Sequence, residues 1–433
     1  MEKEGSTKLT SETFVANISA SCAKVMGKDM KVKLQTTNAQ ELYNHFQVFK
    51  SQILIMDFRP KEQFEQSHLV GSINIPSDKV KEADFTNFDE DSFLEKFCTS
   101  ETEKERIRRR KRLLVVLIAF DRNCDQLLSL NSSVFTSKFK RRLSSDSSEG
   151  LQPLKNAIMM QSVLVKERHR DCYLCKSGMN VFQDKYPFLC NTDETQTKTI
   201  ADCGRYPSEI FEAFLYLSNC LVAKDADLLK TLGITHILNV TDNVPNYFEE
   251  SNPDLEYFNI DINDVEEAPI EEFFEFAYNI INQVLLTNNE KIEEIDEFPD
   301  ISDHYSDEFD THTLRLDTSS KMIDLWENSP LKSTISSVDL SIETARQQNS
   351  GSKILVHCAM GKSRSATIVI MYIMKKFKLP FKTAFKLVSL RREKIDINPG
   401  FIEKLKEFEN NDFKFATESS DQSNASTEAG DAL

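Results

Sequence analysis

Residues 353–367, KILVHCAMGKSRSAT, constrain this chain more than any other stretch. The apolar run Ile354-Leu355-Val356 leads into His357 and Cys358; Gly361 and then Arg364 follow. Ser365 and Thr367 open the segment IVIMYIM, which reads as a helix. The pattern predicts a strand, a tight loop and a helix N-terminus in direct succession. Backbone N–H groups are free at such a terminus and the helix dipole is positive there, so the loop suits an anion. A cysteine in that field ionises readily and becomes a nucleophile near neutral pH. Arg364 offers a planar fork of donors matched to phosphate oxygens. The competing reading, a buried inert cysteine, leaves the coincidence of glycine, fork and helix start unexplained.

Composition narrows the rest. A chain of 433 residues is long for one ordinary domain, and 40% hydrophobic content supports real cores. A net charge of -16 argues against general nucleic-acid binding and makes any phosphate site a local positive spot. Nine cysteines without a regular framework, one of them reading as a thiolate, point to a reducing compartment. Cytoplasm, nucleus or both is the expected location. The opening residues, MEKEGSTKLTSETF, lack the apolar core of a signal peptide. The longest apolar run, residues 113–120, is too short to cross a bilayer, so no membrane span is expected. Its length fits a strand buried on both faces of a parallel sheet.

Short apolar strands alternating with helices predict an α/β chain of two domains, each a mainly parallel sheet flanked by helices. Residues 1–35 read as a flexible tail, 36–190 as the first domain and 191–204 as a polar linker. The second domain spans 205–412, and 413–433 form a polar tail. Within the second domain, an acidic, non-periodic stretch at about 287–340 reads as a surface insertion. SIETARQQN (341–349) can resume a helix before the strand at 354.

In the first domain, Asp57-Phe-Arg59, Phe64, His68 and Gly71-Ser-Ile-Asn-Ile-Pro76 resemble the opening half of a rhodanese-like domain. Cys175-Lys-Ser-Gly178, Phe182 and Tyr186-Pro187 resemble its closing half, in the form found beside MAP kinase phosphatase domains. An active rhodanese carries a cysteine in the loop after its central strand. Here that strand ends in Ala119, Phe120 and Asp121, with Cys124 arriving late and without glycines. The domain is therefore expected to be catalytically silent and to serve docking or regulation. Basic clusters lie at Arg108-Arg109-Arg110-Lys111-Arg112 and at 138–142. In the resembled phosphatases an arginine-rich patch docks a MAP kinase, so Arg108–Arg112 are candidate docking residues; the plain alternative is a solvated basic helix end. Cys172 and Cys175 form a CxxC, but a strand puts residues three apart on opposite faces, which favours packing over zinc.

Phosphate-ester hydrolysis through cysteine needs a nucleophile, donors for the phosphate oxygens and an acid for the leaving oxygen. Cys358 and Arg364 supply the first two, with the backbone of Ala359, Met360, Gly361, Lys362 and Ser363 as the substrate cradle. For the acid, the strand Tyr257–Ile260 runs into an exposed acidic turn, and Asp264 is chosen over Asp261, Glu266 and Glu267. Taken together, YPSEI, LYLSN, ITHILNVT, Asp264, HCAMGKSRSAT, MYIM and Asn398-Pro-Gly-Phe401 resemble the dual-specificity protein phosphatases of the MAP kinase phosphatase type. The resemblance implies a cysteinyl-phosphate intermediate on Cys358 and phosphate binding by Arg364. It implies that Asp264 is general acid and then base, that Ser365 helps sulfur leave, and that His357 orders the loop. It implies a phosphorylated protein substrate, a MAP kinase, with no cofactor or metal. Cys220 is a candidate redox partner of Cys358.

Overall fold

In a computed structural model of the chain, the described residues are 21–26, 35–49, 52–122, 152–169, 171–192, 198–199, 206–285, 337–339, 342, 351–392 and 395–412. Contacts divide the chain into two units that meet between Tyr206 and Pro207.

The first unit is a five-stranded sheet in the order β1 (Thr36–Thr37), β6 (Cys172–Cys175), β5 (Leu114–Ile118), β2 (Ile53–Asp57), β4 (Ser72–Asn74). All four pairings are parallel. β2 and β5 are buried at every position, as apolar runs in the middle of a parallel sheet must be. Their side chains alternate between two cores: Leu54, Met56, Val115 and Leu117 in one, Ile53, Ile55, Leu114 and Val116 in the other. Cys172 belongs to the first core and Cys175 to the second, so the CxxC lies across the sheet. Burial pushes both thiols up, Cys175 to about 12.

The motif residues of this unit are structural. Asn38 caps the helix Ala39–Phe49: its side chain accepts from Glu41 N–H at 2.8 Å, and the Glu41 carboxylate accepts from Asn38 N–H at 2.9 Å. The Phe64 and His68 rings stack at 4.1 Å, and Tyr43 stacks on Tyr186 at 4.6 Å. Arg59 is buried, bonded to Asp57 at 2.7 Å, to Asp121 at 2.5 Å and to the Ser67 carbonyl at 2.7 Å. The turn after β5 is closed by its own chain: the N–H groups of Met179 and Asn180 donate to the Phe120 and Asp121 carbonyls, both at 2.8 Å. Gly178 (φ +76) permits this, since a Cβ there would lie 2.3 Å from the Arg122 carbonyl oxygen. Cys124 and the basic cluster at 138–142 lie outside the described residues.

Three expectations change here. Residues 21–26 are helical, with Cys22, Val25 and Met26 buried, so the first unit begins inside the expected tail. That single apolar turn is too short for a sequence pattern to reveal. Cys190–Thr192 pairs antiparallel with Ser67–Leu69 in a separate two-stranded sheet, so residues 191 and 192 belong to the first unit and not to a linker. Tyr206 also belongs to the first unit, its ring tilted against that of Phe188 at 4.5 Å. Lastly, Arg110 is unavailable for docking: it is buried, bonded to Glu167 at 2.5 Å and to Glu90. Arg108, Arg109, Lys111 and Arg112 are exposed at the end of the helix Glu101–Arg108.

The second unit is a five-stranded sheet in the order β11 (Glu256–Asn259), β10 (His236–Asn239), β12 (Ile354–Cys358), β9 (Leu215–Asn219), β8 (Ser208–Phe211). Only β8–β9 is antiparallel. The strand that carries His357 and Cys358 is therefore central and buried at every position. Its exit feeds the helix Arg364–Phe377, which packs against the helices Phe274–Leu285 and Phe381–Arg391. Val338 and Ile342 are buried in the same core, and Asp339 accepts from Arg391 at 2.7 and 2.8 Å. The chain thus rejoins the domain by residue 337, ahead of the expected insertion boundary at 340; the rest of the insertion lies outside the described residues.

Candidate active site

The turn from β12 into the following helix is made by residues 359–363, with Gly361 at φ +68. That backbone suits glycine, and a Cβ there would lie 2.3 Å from the Ser218 carbonyl oxygen. The turn wraps the Cys358 sulfur. Gly361 N–H donates to Sγ at 3.1 Å and the Ser365 hydroxyl donates at 3.2 Å. Burial alone pushes the Cys358 thiol up. The Ser365 hydroxyl, the N–H groups of Ser365 and Gly361 and the Arg364 charge outweigh it, so the thiol lies below its usual value. The thiolate is therefore easier to form here than in an ordinary cysteine.

Arg364 is buried at the helix start. Its Nη1 donates to the Ile262 carbonyl at 3.0 Å, with Asp242 at 3.9 Å. Its Nε–H is buried and makes no hydrogen bond among the described residues; the Asp264 carboxylate is 3.7 Å away. A buried guanidinium donor without an acceptor fits a phosphate oxygen.

Asp264 is joined to the cradle directly. Its Oδ1 accepts from the Ser363 hydroxyl at 2.6 Å and from the Asn398 side chain at 2.7 Å. Asn398 N–H donates to Ser363 at 3.2 Å, and Asn398 Oδ1 accepts from Phe401 N–H at 2.9 Å, capping the helix Pro399–Asp412. Gly400 lets that helix lie flush on the acidic turn, since a Cβ there would lie 2.1 Å from the Glu266 carbonyl oxygen. All four acids at this turn, Asp261, Asp264, Glu266 and Glu267, are exposed, and Asp264 alone hydrogen-bonds the loop through its side chain among the described residues.

His357 is buried, and burial pushes its imidazole down to about 4, so it is neutral at pH 7. Its ring hydrogen-bonds the Cys358 backbone at the entry to the loop. Ala359 accepts from Cys220 N–H at 3.3 Å, Met360 is exposed at the mouth, and Lys362 is half-buried with its carbonyl accepting from Asp396 N–H at 3.1 Å. Cys220 and Cys358 are free thiols.

Two residues escaped the sequence reading. Asp242 flanks Arg364, at the end of ITHILNVT. Arg392 lies against the back of the loop, its Nε donating to the Gly361 carbonyl at 2.6 Å. The arginine pair in LRRE was visible, but nothing local tells which arginine turns inward.

The arrangement can hold a phosphate monoester against a thiolate with a carboxyl group beside it. The profile of the dual specificity phosphatase catalytic domain matches residues 215–293 and 303–411, and that of the rhodanese-like domain matches 38–127. A probable rhodanese domain-containing dual specificity protein phosphatase of Dictyostelium discoideum is 24% identical over 397 residues, covering 87% of this chain and 69% of that one. Dual specificity protein phosphatase 4 of Rattus norvegicus is 25% identical over 377 residues, covering 82% of this chain and 72% of that one. Dual specificity protein phosphatase 1 of Homo sapiens is 23% identical over 262 residues, covering 56% and 53%.

Proposed function

Because the chain joins a rhodanese-like domain to a dual specificity phosphatase catalytic domain, we propose that Cys358 attacks phosphorus in a phosphorylated MAP kinase. The chain is a protein phosphatase for phosphotyrosine and phosphoserine or phosphothreonine. The observation that supports the mechanism is the joint placement around one loop of the Cys358 sulfur, the Arg364 Nε–H, which makes no hydrogen bond among the described residues, and the Asp264 carboxyl group.

The thiolate forms the S–P bond as the P–O bond to the side-chain oxygen breaks, and Asp264 gives that oxygen a proton. Arg364 and the loop N–H groups bind the phosphoryl oxygens, more tightly as charge develops on them. Water then attacks phosphorus and gives its proton to Asp264. The S–P bond breaks and the Ser365 hydroxyl stabilises the departing thiolate. Inorganic phosphate leaves.

The domain pairing supports a MAP kinase as substrate. Exposed Arg108, Arg109, Lys111 and Arg112 form the docking surface of this reading, and cytoplasm or nucleus is the location that it requires. Steady-state kinetics on an intact doubly phosphorylated kinase, its activation-loop peptide and an inositol phospholipid test it. The kinase should have the highest kcat/KM. Equal values for kinase and peptide would remove docking, and preference for the lipid would overturn the substrate.

A further inference from the structure

We propose that Arg392 is a positioning residue that aims two peptide N–H groups of the phosphate loop inward from behind. The guanidinium touches two successive peptide carbonyls: Nη2 reaches the Met360 oxygen at 3.5 Å and Nε donates to the Gly361 oxygen at 2.6 Å. In a planar trans peptide the C=O and N–H point in opposite directions. Holding the Met360 oxygen outward therefore turns the Gly361 N–H inward, and that N–H donates to the Cys358 sulfur at 3.1 Å. Holding the Gly361 oxygen likewise turns the Lys362 N–H toward the cradle. One side chain thus fixes two of the dipoles on which an anion would rest.

The guanidinium is itself anchored. Its Nη1 donates to the Ser208 hydroxyl at 3.1 Å and to the Leu217 carbonyl at 3.2 Å. Ser208 is the serine of YPSEI, so this motif reaches the site through Arg392. Gly361 seats the loop on the same group: a Cβ would lie 2.6 Å from Arg392 Nη2. Burial pulls the Arg392 guanidinium down to about 10, with the Cys358 thiolate opposing, so it stays charged at neutral pH. A half-buried cation on the far side of two peptides polarises them and stabilises the thiolate as well.

The inference rests on Cys358 being the nucleophile, but its test does not need turnover. In the full chain, the pH midpoint of Cys358 alkylation by iodoacetamide is measured by mass spectrometry, with inhibition by inorganic phosphate and the thermal midpoint. Arg392→Gln should move the alkylation midpoint up by about one pH unit and weaken phosphate inhibition. It should also lower kcat/KM for an aryl phosphate by about 10²-fold. Arg392→Lys, which keeps the charge, should recover most of the alkylation shift but little of the phosphate affinity. Ser208→Ala removes one anchor and should shift the alkylation midpoint in the same direction by less; it serves where Arg392→Gln does not fold. Unchanged alkylation and phosphate inhibition, with only a lower thermal midpoint, would make Arg392 a plain packing brace and overturn the inference. Normal alkylation shifts in a chain without phosphatase turnover would instead sink the reading of the site.

Discussion

Both units drive a fully buried strand, flanked on each side by a parallel partner, into a turn that meets a helix N-terminus, yet among the described residues only one of these turns keeps donors open to an anion. After β5, the N–H groups of Met179 and Asn180 are taken by the carbonyls of Phe120 and Asp121, and the Arg59 fork is closed by Asp57, Asp121 and the Ser67 carbonyl. After β12, Gly361 N–H and Ser365 hydroxyl converge on a sulfur, and the Arg364 Nε–H makes no hydrogen bond among the described residues. A parallel sheet supplies the crevice in both. What separates them is whether the donors at its rim are already satisfied by the chain itself.

The comparison breaks most sharply at the nucleophile. Cys358→Ser should lower phosphate release by on the order of 10⁶-fold, the scale of removing a covalent nucleophile. In that background Phe120→Cys should restore none of it, because a thiol in the first turn meets spent donors. Release from the double variant would show that topology suffices. Asp264→Asn should reduce kcat on phosphotyrosine and phosphothreonine by roughly 10²–10⁴-fold, and less on an aryl phosphate with an easy leaving group. A greater loss in Asp261→Asn or Glu266→Gln would move the acid.

Arg59→Met tests the closed turn. It leaves the buried Asp57 carboxylate unpaired, a defect worth about 3–5 kcal/mol, and should lower the unfolding midpoint of the first unit while aryl-phosphate kinetics stay unchanged. Parallel loss of kcat/KM would deny the units their independence. Ser365→Ala removes a hydrogen bond that holds the Cys358 thiol low. The acid limb of kcat/KM should then move to higher pH, since the thiolate forms only above the raised value, with a roughly 10-fold loss near pH 6. An unmoved limb would assign the low thiol to the loop alone. Smallest of all, Asp339→Asn weakens the half-exposed pair with Arg391 and should cost up to about 1 kcal/mol, read by denaturant unfolding of the second unit.

The sequence made the local parts of this site legible. Cys358, Gly361, Arg364 and Ser365 lie within one turn of helix and loop, and each has a side chain or a backbone freedom whose chemistry names its task. The first sheet was legible for a similar reason: ILIMDF and the run at 113–120 can be buried only on two faces. What was hidden depends on partners far along the chain. Arg110 looked like part of a basic patch until Glu167, distant in sequence, closed over it. Val338 sits in a polar stretch whose composition masks its burial. Arg392 works on backbone oxygens, which every residue carries, so no pattern could have announced its target.

The position of β12 has a consequence for how the molecule is made. It is the last strand of its sheet to leave the ribosome, yet it lies in the middle, between β9 and β10. Thr235 and Lys353, bonded neighbours beside its start, stand 118 residues apart in the sequence. A nascent chain that stops short of Lys353 has β8–β9 and β10–β11 as separate pairs, each with a bare edge facing the gap. Such edges recruit foreign strands, and closure across so long a separation is slow. The segment that seals the sheet is also the one that delivers Cys358. Chains cut short of Lys353 should therefore expose both bare edges and lack the nucleophile.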